Sequence, residues 1–193
     1  MSARLCAPLA AICAFVTLSG CSAPTVDVGD KAEGDAVTGR VVKIADGDTI
    51  TVRTDAGQLR KVRLLAIDTP ESYATRYGYT ECGGDEAKAA LQALVAASPR
   101  VKLTTDPSQD ERDRYGRWLA YVAPAGGGQT FQAALVRAGW AEVYRFNRSS
   151  PPQRADDYDQ LARQARTARL GVWDTCGGFH KRTGRRAVWS PGQ

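Results

Sequence analysis

The stretch VTGRVVKIADGDTITVRTDAGQLRKVRLLAI, residues 37–67, decides the fold. It contains three segments rich in β-branched and other apolar residues, namely 37–44, 49–54 and 60–67. The short turns ADGD and DAG separate these segments, and turns of this length and composition join antiparallel neighbours. We therefore expect three consecutive strands that form an antiparallel meander.

A helix and two further strands are predicted after the meander. The stretch DEAKAALQALVAAS, residues 85–98, repeats apolar residues at helical spacing and is followed by Pro99. The segments RVKLTT, 100–105, and RWLAYVA, 117–123, are apolar and β-rich, and they predict the fourth and fifth strands.

Two more helices complete the predicted elements. The second helix ends at Gly139, and the third covers about 153–170. The inner face of the second helix is predicted to contain Phe131, Ala134, Leu135 and Ala138. Five strands, with one helix between the third and the fourth, suit an α+β domain: a five-stranded Greek-key β-barrel of the OB type with about three α-helices. Such barrels often bind oligonucleotides, but a fold alone does not establish a function.

The size and charge of the chain are those of a globular protein. Its 193 residues suit one domain with extensions at both ends, and we place the domain at residues 37–176. The 43% of hydrophobic and 24% of charged residues are ordinary for such a domain. A net charge of +5 permits an anionic partner without requiring one.

The N-terminus predicts export and a lipid anchor. Residues 1–21 carry one basic residue, Arg4, and an apolar run too short to span a bilayer, as in a signal peptide. The run ends in Leu-Ser-Gly-Cys, which resembles the lipobox of bacterial lipoproteins and makes Cys21 the lipidation site. The alternative is ordinary cleavage nearby, with Cys21 as a spare thiol. Residues 22–36 are small, polar and unpatterned, so they are predicted to be a flexible tether. We expect an exported protein anchored to the cell membrane on its extracytoplasmic face.

Two of the five cysteines remain in the predicted domain after this export signal. Cys82 and Cys176 are expected to form a disulfide, because an exported protein meets an oxidising compartment. A metal-binding role is disfavoured, because His180 is the single histidine in the chain. That histidine lies in a basic tail, residues 177–193, which either is solvated or holds a polyanion or an anionic lipid.

Two acidic corners are candidates for chemistry. Asp48 precedes the second predicted strand, and Asp68 follows the third. Because these two strands are antiparallel neighbours, the two carboxylates are expected to lie together, where they repel each other unless a cation lies between them. An all-oxygen site of this kind suits Ca²⁺ or Mg²⁺.

Basic residues accompany the acidic corners. Arg63 lies on the third predicted strand, and Arg117 begins the fifth. A metal, a carboxylate base and two arginines are the parts that phosphodiester cleavage needs, because guanidinium groups and metals stabilise charge on phosphorus while the carboxylate activates water. Taken singly, each motif has a structural explanation: DGD is a common turn, and DTPE can begin a helix.

Four motifs together resemble those of the staphylococcal nuclease family, also called thermonucleases. They are DGDT, RLLxxDTPE, DxYGRxLAYV and ALVRxGxAxV, in that order, and the resemblance covers about residues 37–175. It implies an OB barrel with three helices. It also implies Ca²⁺ bound by Asp48, Asp68 and the Thr69 backbone carbonyl, with Glu71 as the base or organiser of the attacking water.

The resemblance further assigns the substrate contacts. Arg63 and Arg117 would contact the phosphate, and the pair Arg114–Tyr115 stands where the family has Lys-Tyr. Family members have two tyrosines near the nucleotide base. Here Tyr144 and Phe146 are the candidates for those places, and which of them stacks on a base stays open. The Cys82–Cys176 pair is absent from the family type.

The expected function is therefore a Ca²⁺-dependent extracytoplasmic nuclease. It would act on DNA and RNA with low sequence specificity and leave 3′-phosphate and 5′-hydroxyl ends, as the resemblance implies. We expect a monomer whose partners are its nucleic-acid substrates and the membrane. The alternative is a catalytically weak OB-fold lipoprotein that binds nucleic acid.

Overall fold

A computed structural model describes residues 34–72 and 81–179 of the chain. Seven strands and four helices lie within these residues. The strands are β1 (Ala36–Asp46), β2 (Thr49–Thr54), β3 (Leu59–Leu64), β4 (Ile67–Asp68), β5 (Arg100–Thr104), β6 (Trp118–Pro124) and β7 (Glu142–Val143). The helices are α1 (Gly84–Ala97), α2 (Phe131–Arg137), α3 (Ala155–Thr167) and α4 (Val172–Thr175).

Five of the strands form a closed barrel in the order β1-β2-β3-β6-β5. All neighbours are antiparallel except β3 and β6, which run parallel with Arg63 opposite Leu119. The predicted OB-type α+β fold is confirmed, as is the meander of the first three strands. Strands β4 and β7 form a separate two-stranded sheet.

Alternation along the strands fills the barrel interior. In β2 and β3 the inward side chains are apolar and fully buried: Ile50, Val52, Val62 and Leu64. Side chains between them point outward, among them Arg53, Lys61 and Arg63. The same alternation therefore places Arg63, the functional candidate within these two strands, on the outer side of β3.

The third predicted strand, 60–67, is wrong at its C-terminal end. Strand β3 stops at Leu64, and Ala66 has a positive φ of 68°. The Tyr144 N–H donates to the Ala66 carbonyl, and Ile67 and Asp68 then pair with β7 instead of continuing along β2. This break takes Asp68 out of the barrel sheet and into the β4–β7 pair.

The three predicted helices are present, and a fourth was not predicted. Helix α1 lies within one residue of its predicted bounds and α3 within about three. The predicted inner face of α2 is partly wrong, because Gln132 is fully buried while Ala134 and Ala138 are only partly so. Gln132 is buried because its amide bonds the β6 backbone at Ala120 and Val122. The short helix α4 begins after Gly171, the predicted stop of α3.

The predicted signal peptide, Cys21, most of the tether and His180 lie outside the described residues. Among the residues that are described, no helix has the length and apolar character to cross a membrane.

Candidate active site

Arg63 joins the two predicted aspartates. Its Nη1 forms an ion pair with Asp48 Oδ2, and its Nη2 lies 2.7 Å from Asp68 Oδ1. The three side chains are largely shielded, with 14%, 10% and 20% exposure for Arg63, Asp48 and Asp68. The two carboxylates therefore lie together, as predicted, and the positive group between them in this structure is the Arg63 guanidinium, which was predicted to contact the phosphate.

Arg117 reaches the same corner from β6's N-terminal side. Its Nη1 donates to Thr49 Oγ1 at 3.3 Å, and Thr49 is the cross-strand partner of Arg63. Asp113 fixes this arginine: Arg117 Nε donates to Asp113 Oδ2 at 2.6 Å. Burial favours the neutral form of Asp113, but hydrogen bonds from the Arg117 backbone and guanidinium outweigh burial and hold its pKa below the usual value. Two guanidinium groups are thus held at one end of β2.

Glu71 is held between two other carboxyl groups. Its N–H donates to Glu81 Oε2 at 3.0 Å, and the Glu81 N–H donates to the Glu71 carbonyl at 3.0 Å. Asp46 is 4% exposed, and burial, together with a hydrogen bond shared with Glu71, raises the pKa of Asp46 to about 6. Asp46 Oδ1 also accepts from the N–H groups of Gly47 and Ser72. These contacts fix the backbone and the side chain of Glu71 beside the β1–β2 turn.

The segment that holds Glu81 is itself tied to α4. The Sγ atoms of Cys82 and Cys176 lie 2.06 Å apart, as in a disulfide. Helix α1 begins directly after this point, and a Cβ on Gly84 would overlap the Glu71 carbonyl. The start of α1 therefore packs against the Glu71 backbone.

Thr69 completes the oxygen-rich corner. It is buried, and its N–H donates to Asp48 Oδ2 at 3.4 Å. Its Oγ1 is a buried oxygen without a hydrogen-bond partner in the described part of the chain, and it packs against Gly47, where a Cβ would lie 2.7 Å away. A side chain at position 47 would therefore force Thr69 to shift.

The corner fits a hard cation by its donor chemistry. Asp48 and Asp68 already converge on one positive group, and Thr69 adds backbone and hydroxyl oxygens beside them. Within residues 34–72 and 81–179 there is no cluster of three or more His, Cys, Asp or Glu side chains arranged as a metal site. A bound cation would therefore be held by two carboxylates and by neutral oxygens.

The predicted aromatic contacts flank this corner. The Arg114 guanidinium lies 4.9 Å and that of Arg117 5.5 Å from the centre of the Tyr115 ring, which is 68% exposed. Tyr144 follows β7, which pairs with the strand of Asp68, and is 46% exposed. Phe146 is exposed as well. Open ring faces at these places can stack on bases.

Three site residues were missed from the sequence: Asp46, Glu81 and Asp113. Asp46 and Asp113 stand inside quoted motifs, DGDT and DxYGR, so their positions were visible but their hydrogen bonds were not. Glu81 had no signal in the sequence, because its contact with Glu71 depends on the path of the chain between them. All the candidates assigned to metal and phosphate, namely Asp48, Arg63, Asp68, Thr69, Glu71 and Arg117, lie at one end of the barrel.

Fold and site together define a class: an OB barrel with an acidic corner and two oriented arginines, equipped to bind a phosphate ester. The model of the Staphylococcal nuclease homologue family matches residues 61–175, and the chain belongs to this family.

Several curated relatives support this membership. The chain is similar to a micrococcal nuclease of Shigella flexneri, with 37% identity over 70% of this chain and 72% of the relative. It is 30% identical to a thermonuclease of Staphylococcus hyicus, over 70% and 75% of the two chains. An uncharacterized protein of Methanocaldococcus jannaschii is also 30% identical, over 70% and 71%.

Proposed function

We propose that this protein is a Ca²⁺-dependent nuclease that hydrolyses DNA and RNA with low sequence specificity. The observation that carries the proposal is the convergence of two arginines on one strand end beside two carboxylates. Arg63 and Arg117 meet at Thr49, and Glu71 is fixed nearby by Asp46. The names of the relatives, a thermonuclease and a micrococcal nuclease, support the same activity.

The side chains divide the chemistry among them. In this structure the Arg63 guanidinium pairs with Asp48 and Asp68; with these carboxylates engaged by a metal instead, Arg63 and Arg117 would donate hydrogen bonds to the phosphoryl oxygens and stabilise the charge that develops there. Glu71 would accept a proton from the attacking water, whose oxygen forms the new bond to phosphorus. The bond from phosphorus to the 5′-oxygen breaks, this oxygen takes up a proton, and the products are a 3′-phosphate and a 5′-hydroxyl. Asp48, Asp68 and Thr69 would hold Ca²⁺, which when bound polarises a phosphoryl oxygen.

The aromatic and basic residues beside the corner would orient the strand. Arg114 and Tyr115 are placed to contact a neighbouring phosphate, and Tyr144 or Phe146 to stack on a base. Stacking tolerates any base, which agrees with low sequence specificity.

The role of Glu71 is tested by a matched pair of substitutions. Glu71→Gln should lower the rate of cleavage of an end-labelled single strand by about 100-fold or more, because the base is lost. Glu86→Gln makes the same change on the exposed first turn of α1 and should leave the rate unchanged. Treatment of the products with phosphatase and kinase identifies their ends. Equal rates for the two variants would refute the assignment of Glu71.

We also propose that the protein is exported and anchored through a lipid on Cys21. The apolar run and the small residues before this cysteine support the proposal, and a disulfide between Cys82 and Cys176 suits an oxidising compartment. Cys21→Ala should release the protein from the membrane fraction. A variant that stays in that fraction would contradict the anchor.

A further inference from the structure

The outer surface of β1, β2 and β3 is strongly basic. Its four exposed cationic side chains are Arg40, Lys43, Arg53 and Lys61, which we call the basic face. In the described part of the chain, none of these four has an ion-pair partner. By contrast, Arg60 on the same strand β3 is engaged, 3.8 Å above the ring of Trp118, and Arg100 pairs with Asp55.

Acidic residues are almost missing from these three strands. The single acidic residue in β1, β2 and β3 is Asp46, which is 4% exposed and hydrogen-bonded at the candidate site. The chain as a whole has 26 basic and 21 acidic residues, so the charge of this surface is a local excess and not the average of the molecule. A surface of one sign attracts a polyanion.

The basic face is arranged in rows that lead to the candidate site. Thr49 and Arg63 are cross-strand partners at the site itself. One step along the same face, Thr51 pairs with Lys61 on one side and with Lys43 on the other. One step further, Arg53 pairs with Arg40.

The rows extend over a length that more than one phosphate can occupy. Two residues along a strand advance the surface by about 7 Å, so the three rows cover about 14 Å. Val42 and Leu59, which are 47% and 59% exposed, lie among the cations and offer apolar contact to bases. OB folds hold single strands through a positively charged surface that follows the backbone, together with side chains, usually aromatic, that contact the bases.

We propose that the basic face binds the phosphates of a single-stranded nucleic acid next to the scissile phosphate. The proposal rests on the proposed nuclease function and extends it: the protein is a nuclease with a preference for long strands over short ones. Nucleic acid is favoured over an anionic membrane because the rows share one face with Arg63 and lead to it step by step.

The direct test is strand binding in chelator, where cleavage does not interfere. The full-length protein is titrated onto a fluorescent single strand of about 20 nucleotides at several NaCl concentrations. Each lost phosphate contact lowers the slope of log affinity against log salt by about 0.7, so Lys43→Gln/Lys61→Gln should lower it by about 1.4. Lys43→Arg/Lys61→Arg should keep the slope. Arg163→Gln/Arg166→Gln removes the same charge from the exposed side of α3 and serves as control.

Cleavage and lipid binding separate the possible outcomes. With Ca²⁺, Lys43→Gln/Lys61→Gln should raise KM for the long strand and leave kcat/KM for a dinucleotide unchanged. An unchanged salt slope, or one that falls equally in the α3 control, would overturn the proposal. So would a variant that loses binding to phosphatidylglycerol vesicles while strand binding is intact. Absence of cleavage by the unmodified protein would refute the nuclease function. The salt slope would still show whether the basic face binds the nucleic-acid strand.

Discussion

At the scale of single residues, Arg63 compensates the charge of the candidate site. Its guanidinium lies between Asp48 and Asp68, and all three side chains are mostly shielded from water. We expect Arg63→Met to lower the free energy of unfolding by about 3 kcal/mol in metal-free buffer, because the two carboxylates then face each other unpaired. Urea denaturation measures this change. Added Ca²⁺ should stabilise the variant more than the unmodified protein, because a cation can again compensate both carboxylates.

The control for this experiment is Arg163→Met on the exposed side of α3, which should change stability by less than about 0.5 kcal/mol. If Arg63→Met unfolds at the same urea concentration as the unmodified protein, the ion pairs of Arg63 do not contribute to stability and this prediction is wrong.

Asp46 should make stability depend on pH. Its pKa is raised from 3.8 to about 6 by burial and by the hydrogen bond shared with Glu71. Between these values the folded protein binds the proton better than the unfolded chain, so the free energy of unfolding falls as the pH rises through this range. Asp46→Asn removes the titrating group. The free energy of unfolding of the variant, taken relative to that of the unmodified protein, should therefore rise by up to about 3 kcal/mol between pH 4 and pH 8.

Denaturation of both proteins in metal-free buffer at the two pH values measures this gain. A stability difference that is independent of pH would show that Asp46 keeps an ordinary pKa.

Individual contacts were only partly predictable from the sequence. The pairing of β2 and β3 through a short turn predicts that Asp48 and Asp68 lie near the same barrel end, but their contact with one guanidinium also depends on the break at Ala66, which moves Asp68 into β4. That Arg63 lies between them does not follow, because a rotamer choice, and not strand register, decides the partner of a long side chain. The hydrogen bond between Asp46 and Glu71 depends on the loop after β4, whose path no local pattern specifies.

At the scale of the elements, the start of α1 positions the Glu71 loop. A Cβ at Gly84 would overlap the Glu71 carbonyl, so Gly84→Ala should displace this loop and destabilise the protein by about 1–3 kcal/mol. The cleavage rate should fall as well, because Glu71 moves with its backbone. Gly126→Ala is the matched control, since nothing lies within 4 Å of its added Cβ. Thermal unfolding and initial rates that are the same for both variants would contradict this role of α1.

The disulfide between Cys82 and Cys176 is expected to stabilise the segment at the start of α1 that contacts Glu71. It joins residues 94 positions apart, for which loop-closure entropy predicts at most about 4–5 kcal/mol. Cys82→Ala/Cys176→Ala should therefore unfold at a lower denaturant concentration, and a reductant should lower the midpoint of the unmodified protein but not that of the variant. A reductant that leaves the unmodified protein unchanged would show that no disulfide contributes.

The elements differed from prediction where tertiary contacts override local pattern. The apolar run to Ile67 continues past Leu64, yet the strand breaks because Ala66 bonds Tyr144 and the chain pairs with β7. Helix α4 has four residues, too short for a periodic signal. The barrel strands and the three longer helices have strong alternation, periodicity and stop residues, and these were predicted within a few residues.

At the scale of the whole molecule, the site lies at one end of the barrel and the basic face leads to it along β2 and β3. A nucleic-acid strand bound along this surface would contact the cations of the basic face, then Arg63, and then the acidic corner. The order of the strands and helices in the sequence predicted the barrel, and the motifs predicted the residues of the site. The basic face was not predicted, because it depends on the register that sets Lys43 and Lys61 on either side of Thr51.

The measurement that tests the central claim most directly is degradation of single-stranded and plasmid DNA by the purified protein with Ca²⁺, with Mg²⁺ and with chelator. Our account predicts that both substrates are degraded with Ca²⁺ and that degradation stops in chelator. A folded protein that binds DNA but cleaves it under none of these conditions would contradict the account, and the acidic corner would then belong to a binding protein.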